Sequence, residues 1–367
     1  MTERWSAARA NAWYDEQPWL VGCNFIPSTA INQLEMWGEG TFDPETIDRE
    51  LGLAAALGMN TVRTYLHDRP WTEDEAGFRA RLDRFLTLAD AHGIRPLLVL
   101  FDDCWYEPEV GVPEPRPGLH NSGWVRSPGR AILSDRGAWP RLEAYVRGVL
   151  RAFGRDPRVL AWDVYNEVTN EYLPILSRPQ PQRALGLAAT AARLRLRRPP
   201  ALDLMTAAFG WARAEGPDQP LTAASWHPAP HLHDALYGLS DVISFHNYDG
   251  PDSVRAEIKA LRAHDRPLMC TEWLSRAAGS TVAAILPILA RERVAAFGWG
   301  LVDGKTQTKF SWADRPDGDA VREPDPWFHD LIRADGSPYD EAEAALFREL
   351  TGRGGSVTPL TPRRAGA

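Results

Sequence analysis

The chain has 367 residues, 44% apolar and 25% charged, a globular balance that excludes wholesale disorder and fibrous repeats. Its formal net charge of −8 offers no basic surface to a phosphate backbone, which excludes nucleic acid as the main partner. Cys23, Cys104 and Cys270 are too few and too scattered for a disulfide framework or a clustered zinc site, and they fit a reducing compartment.

Residues 1–17 read as an N-terminal extension. Arg4, Arg9, Asp15 and Glu16 interrupt its apolar residues, so it lacks the apolar core of a signal peptide and a cytoplasmic protein is expected. No run reaches the roughly 20 apolar residues that span a bilayer, so no membrane association is expected. From there to about residue 350, short apolar runs alternate with segments of helical period and no linker intervenes. The runs predict strands over 20–26, 60–66, 95–101, 159–165, 221–226, 242–246, 268–272 and 295–301. Between them, helices are predicted over 44–57, 73–92, 139–153, 201–215, 253–264 and 282–291. Asp43-Pro44 opens the first of these with a capping side chain and a proline at the first helical position, while Gly58 and Gly93 close helices just before strands. The array predicts an α/β fold, a single-domain (β/α)8 TIM barrel over 18–350 with long βα loops. The long excursions are 102–138 and 168–200, and 351–367 reads as a flexible C-terminal tail. Arg193, Arg195, Arg197 and Arg198 are read as a solvated helix face rather than a nucleic-acid patch.

In such a barrel the reacting groups gather at the carboxyl ends of the strands. In chain order those ends offer Arg63, then Asp102 and Asp103, Asn166 and Glu167, Trp226 and His227, His246 and Tyr248, Glu272, and Trp299. Packing alone does not explain so many polar and aromatic residues on one rim. Glu167 and Glu272 end strands four and seven, on opposing sides of the mouth, as glycoside cleavage requires: one carboxyl protonated to assist the leaving oxygen, the other ionised to attack the anomeric carbon. Arg63 would hold Glu272 ionised, Tyr248 would donate a hydrogen bond to it, and Glu167 would keep its proton beside a second carboxylate. Trp37, Trp105, Trp124 and Trp312, four of 15 tryptophans, are candidate sugar platforms. His120, Asn121 and Trp124 in "GLHNSGWV" would wall one end of the cleft.

The motifs "WDVYNEVTNEY", "LMCTEWLSR" and "FGWG" resemble the signature positions of clan A retaining glycoside hydrolases, most closely glycoside hydrolase family 5, the cellulase family. The resemblance implies Glu167 as acid/base, Glu272 as nucleophile, Asn166 on the sugar 2-hydroxyl, Arg63, His246 and Tyr248 in support, and Trp299 as the floor of the sugar pocket. It also implies a hydrolase of carbohydrate metabolism that needs no metal or organic cofactor. On strand three the family usually places a histidine where this chain has "FDDCW", so Asp103 or Trp105 would substitute. Val168 stands where many relatives have proline.

Together these point to a retaining β-glycosidase with a carbohydrate as its partner, exo-acting on short β-mannosides, β-glucosides or β-xylosides. The alternatives are a non-catalytic carbohydrate-binding barrel and an endo-acting β-glycanase. His231-Leu-His233, a metal-like pair, falls at a helix start, and Gly304-Lys305-Thr306 lacks the earlier glycine of a phosphate loop. Cys104 is read as a small buried group without a catalytic part.

Overall fold

The computed structural model describes residues 3–170, 184–186, 188–189, 192, 199–224, 230–313 and 321–352. Eight parallel strands run β1 (Val21–Asn24), β2 (Thr61–Tyr65), β3 (Arg95–Val99), β4 (Ala161–Asn166), β5 (Leu221–Ala224), β6 (Ile243–His246), β7 (Leu268–Trp273) and β8 (Ala295–Trp299), hydrogen-bonded in the order β5-β4-β3-β2-β1-β8-β7-β6. The two ends of that order meet. The Asp241 N–H donates to the Leu221 carbonyl at 2.7 Å, and the Thr222 hydroxyl reaches the Val242 carbonyl at 2.9 Å and Ser244 Oγ at 2.7 Å. The sheet is thus a (β/α)8 barrel, as the alternation of periods predicts.

All eight predicted strands form, most of them shorter than their apolar runs. Leu66, Leu100, Phe101 and Leu301 continue those runs but are buried in the turns that follow. An N-terminal helix, α1 (Ala7–Asp15), precedes the barrel, and each strand is followed by one of α2 (Pro44–Ala56), α3 (Glu75–Ala91), α4 (Trp139–Phe153), α5 (Pro200–Ala214), α6 (Pro230–Leu239), α7 (Pro251–Leu261), α8 (Val282–Arg291) and α9 (Glu341–Leu350). Asp43 caps α2 by accepting from the Thr46 N–H at 3.0 Å. The predicted helix over 73–92 is split, because Asp74 accepts from the Gly77 N–H at 2.9 Å and starts α3 afresh after a short helix, Asp68–Glu73. Gly93 follows α3 with φ 69°, a left-handed turn that only glycine takes without strain. On α4, Leu142, Tyr145, Val146, Val149, Leu150 and Phe153 are buried at helical spacing, the stripe that seats a helix on the barrel.

The segment before β1 covers the amino ends of the strands. Trp5 N–H donates to Asp241 Oδ1 at 2.8 Å, Tyr14 Oη to the Arg293 carbonyl at 2.9 Å and Trp19 Nε1 to the Val294 carbonyl at 2.8 Å. Inside the barrel a packed column rises from Tyr14 and Leu20 through Leu97, Val99, Ala161, Met269 and Phe297 to Tyr65, Trp124 and Trp299 at the opposite end. Among the described residues, no helix is long and apolar enough to cross a membrane.

Register shifts on two strands, β4 and β7, break the regularity. Between Asp163 and Asn166 β4 uses one residue more than β5, and between Cys270 and Trp273 β7 uses one more than β8. These bulges lie beside Glu167 and Glu272. An extra residue rotates the strand locally and re-aims the side chains that follow.

Candidate active site

Arg63 organises the mouth. It is fully buried and faces the barrel axis, donating from Nε and Nη2 to Asp163 Oδ2 (3.1 and 2.7 Å), from Nη2 to Asn166 Oδ1 (2.6 Å), and from Nη1 to Asn24 Oδ1 and Glu272 Oε1 (both 2.9 Å). Burial works against its charge, and Tyr65, Asp163 and Glu272 outweigh that cost. Removing it would leave Asp163 and Glu272 uncompensated in a buried site. Arg63→Met is therefore expected to cost about 3–5 kcal/mol of stability at pH 7. The loss should shrink as pH falls toward the ordinary carboxylate range, because the stranded acids then take up protons in the folded state. Urea unfolding at pH 7 and pH 5 measures both, and a loss below about 1 kcal/mol at pH 7 would show that Arg63 is not the counterion.

Glu272 is surrounded by donors: Arg63 and Tyr65 Oη on Oε1, each at 2.9 Å, and Tyr248 Oη on Oε2 at 2.8 Å. Glu167 has weaker company. Its Oε1 lies 2.8 Å from His246 Nδ1, while Oε2 accepts from the Cys104 thiol at 3.1 Å and from the Asn170 amide. His246 Nδ1 is also 3.4 Å from Glu272 Oε2, so a proton there serves both carboxyls. Burial, then the charge of Arg63, push the imidazole well below its usual range and keep it neutral.

The two carboxyls consequently differ. Burial raises both above the usual carboxylate range. For Glu167 the charge of Glu272 adds to the rise, whereas Arg63, Tyr248 and Tyr65 pull Glu272 back down. Glu167 is the one that keeps its proton, and Glu272 is the one that ionises.

Backbone strain is concentrated here too. Of eight non-glycine residues with positive φ among the described residues, Trp105, Asn121, Glu167, Thr169, Leu274 and Gln307 all lie in loops at the carboxyl ends of the strands.

The candidates from sequence divide. Arg63, Asn166, Glu167, His246, Tyr248, Glu272 and Trp299 converge on one mouth. Trp105 is half-buried at the rim, its ring 5.5 Å from His120, which packs 5.2 Å from His329. Burial lowers the His120 pKa to about 4, so its ring stays neutral.

Asp103, expected at the sugar, faces the helix layer instead, accepting from Tyr165 Oη at 3.0 Å and the Thr169 N–H at 2.7 Å. Trp124 is not an open platform. It is buried, donates to Asp102 Oδ2 at 2.8 Å and meets Tyr65 edge-on at 5.1 Å. Asn121 is wholly buried against a small cavity bounded by Trp124, Trp299, Thr308 and Asp330. Trp37 belongs to the core, stacked with Phe42 and donating to the Tyr65 carbonyl at 2.7 Å. Trp312 remains half-buried near the mouth, 4.9 Å from Tyr248. Trp226 and His227 lie outside the described residues, as do most of 168–200 and the tail from 353. His233 packs 5.5 Å from Tyr237 on α6, and the side chain of His231 is outside the description.

Sequence reasoning missed Tyr65, Asp163, Asn24 and His329. Tyr65 was within reach, because it follows Arg63 by two and so shares its face of the strand. His329 arrives from the long excursion after β8, and no local pattern marks it.

Glu167, His246 and Glu272 each offer a ligand atom within 4.8 Å of the others, the one such trio among the described residues. The donor set does not suit a cation. Arg63 already supplies the positive charge on Glu272, and Tyr65 and Tyr248 each take a further lone pair, which leaves one.

No protein-family model and no curated protein matches the chain. Solved structures do. The exo-β-1,4-mannosidase Op5Man5 from Opitutaceae bacterium strain TAV5 is 21% identical with a TM-score of 0.56, the match covering 91% of this chain and 60% of that one. This chain thus spans less than two thirds of that protein's length. A GH5_18 protein from Streptomyces cattleya in complex with GlcNAc is 14% identical with a TM-score of 0.58, over 93% of this chain and 81% of the other. One from Bifidobacterium longum in complex with Manβ1-4GlcNAc is 16% identical with a TM-score of 0.56, over 94% and 80%. The chain shares its fold, a (β/α)8 barrel, with these proteins, two of which are of glycoside hydrolase family 5.

Proposed function

We propose that this protein is a retaining β-glycoside hydrolase of the family 5 type that works by double displacement, exo-acting on short β-linked oligosaccharides or glycosides. The observation that carries the reading is a pair of buried, unequal carboxyl groups, Glu167 and Glu272, with oxygens within 4.8 Å of each other. Retaining enzymes hold their carboxyls about 5–5.5 Å apart, whereas inverting ones leave about 6.5–9.5 Å for a water.

In the first step Glu272 attacks the anomeric carbon from the α face while Glu167 gives its proton to the departing oxygen. The aglycone leaves as an alcohol and the sugar is esterified to Glu272. In the second step Glu167, now ionised, takes a proton from water as the water's oxygen attacks the same carbon. Glu272 is released and the β configuration returns. Arg63, Tyr65 and Tyr248 keep Glu272 the weaker base of the two, which suits a nucleophile that must also leave. Trp299, with one edge toward Tyr65 at 6.1 Å, is a floor against which a sugar ring packs.

Exo action is supported by the loop after β3, which is tied to the loop after β8. Asn121 N–H donates to the Thr306 carbonyl at 2.8 Å, Gly118 N–H to Gln307 Oε1 at 2.8 Å, and Gln307 Nε2 to the Arg116 carbonyl at 2.8 Å. Such a brace walls one side of the mouth. Similarity to an exo-β-1,4-mannosidase and to a protein holding Manβ1-4GlcNAc makes a terminal β-mannosyl unit the first substrate to test, with β-glucosyl and β-xylosyl beside it. Proton NMR of a reduced β-1,4-linked oligosaccharide series tests the whole reading. The expected first product is the β-anomer of a monosaccharide from the non-reducing end. Early α-anomer would overturn retention, mid-chain fragments would overturn exo action, and no turnover on any β-glycoside would leave a binding barrel.

A further inference from the structure

Cys104 sits inside the mouth without a part in the double displacement, yet it is held there from several sides. Its backbone N–H donates to Asp102 Oδ1 at 3.0 Å, and Asp102 is itself pinned by the Trp124 indole at 2.8 Å. Trp105, the next residue, turns through φ 66°, so the chain leaves the strand abruptly after the cysteine. The side chain is buried, and three groups surround its sulfur: the amides of Asn166 and Asn170, each with Nδ2 at 3.5 Å, and Glu167 Oε2 at 3.1 Å.

A thiol has one proton to give. Both amides reach the sulfur through their N–H groups, so they can only donate to it. Of the three, the group that accepts is Glu167 Oε2. The Asn170 amide closes a triangle by donating to the same carboxylate oxygen. We propose that Cys104 is a positioning residue whose S–H donates to Oε2 of Glu167, orienting that carboxyl and stabilising its ionised form. The inference rests on the reading of Glu167 as acid/base.

No electrons move and the thiol never gives up its proton. Glu167 loses its own proton to the leaving oxygen, the S–H group then faces a full carboxylate, and water returns a proton to Glu167 in the second step. Burial, with the charges of Asp102 and Glu167, pushes the thiol well above its usual range, so it remains a donor at any pH the enzyme works at.

The sign of the effect is fixed. A donor to the ionised form lowers a carboxyl's proton affinity, so its loss raises that affinity. Cys104→Ala should move the alkaline limb of kcat/KM upward by about half to one pH unit, roughly three- to tenfold in proton affinity. The same variant should slow poor leaving groups more than dinitrophenolate, because Glu167 becomes a weaker acid. Cys104→Ser keeps a donor and should return the limb to the wild-type position or below it.

The experiment is the pH dependence of kcat/KM on aryl β-glycosides of graded leaving group for the three proteins. Beside it runs a carbon-13 NMR titration of side-chain-labelled glutamate, with the Glu167 signal identified by its loss in Glu167→Gln. The NMR arm needs no turnover, so it reads the Cys104 to Glu167 link even if the protein cleaves no β-glycoside. An upward shift of Glu167 in Cys104→Ala that Cys104→Ser reverses supports the proposal. An unmoved titration in Cys104→Ala, or an equal shift in both variants, overturns it and leaves the cysteine a filler of space.

Discussion

Glu272→Ala is expected to abolish turnover of every β-glycoside, including those with the best leaving groups. In the proposed double displacement one of its carboxylate oxygens must bond to carbon, and the groups that touch it cannot take its place: Arg63, Tyr65 and Tyr248 are all donors aimed at it. The loss should reach roughly 10⁵-fold or more in kcat, the scale for removing a covalent nucleophile. Azide offers a sharper test than the loss alone. With the side chain gone, azide can enter the vacated face and attack the substrate directly, so a rescued reaction gives the α-glycosyl azide. A β-glycosyl azide from this variant would mean that another residue forms the covalent intermediate. Fluorescence or circular dichroism must show the variant folded, and Asp163 remains to balance Arg63.

Glu167→Ala is expected to fail selectively. Protonating the leaving oxygen is worth about 10²- to 10⁴-fold, so alkyl and sugar leaving groups should slow by that factor. Dinitrophenyl glycosides need little protonation and should still form the glycosyl-enzyme normally. Their second step stalls for want of a base, and azide, which needs none, should restore turnover as the β-glycosyl azide. The alkaline limb of the pH profile should vanish as well, because it reports the group that must stay protonated. In the proposed mechanism Glu167 is that group: it lies beside Glu272, whose charge raises its proton affinity, whereas Glu272 shares Arg63. Equal losses across all leaving groups, with no rescue, would remove Glu167 from the acid/base role.

The array of strands and helices was legible because each barrel unit carries its pattern locally. A strand buried on both faces reads as a short apolar run, and a helix over it reads as a stripe at helical spacing, so all eight strands could be found without contacts. The rim was legible for a similar reason, since topology brings every strand's carboxyl end to one face. Which side chains turn inward was another matter.

Counting by twos from Met269, which packs inside the barrel, Glu272 should point away from the axis. The bulge between Cys270 and Trp273 reverses that parity, and Glu272 reaches Arg63. The bulge between Asp163 and Asn166 likewise turns Asn166 onto Arg63 and leaves Tyr165 facing Asp103 outside the barrel. That same reversal is why Asp103 supports β4 rather than substrate. Asn121, Trp124 and His329 were settled by loops that fold back over one another, with partners more than 20 residues away. Sequence alone determined the barrel, the carboxyl-end rim of its strands and the residue types gathered there, because periodicity and chain order are local properties. The inward aim of each side chain, and the unequal proton affinities of the two glutamates, were decided by bulges and long-range contacts that leave no periodic trace.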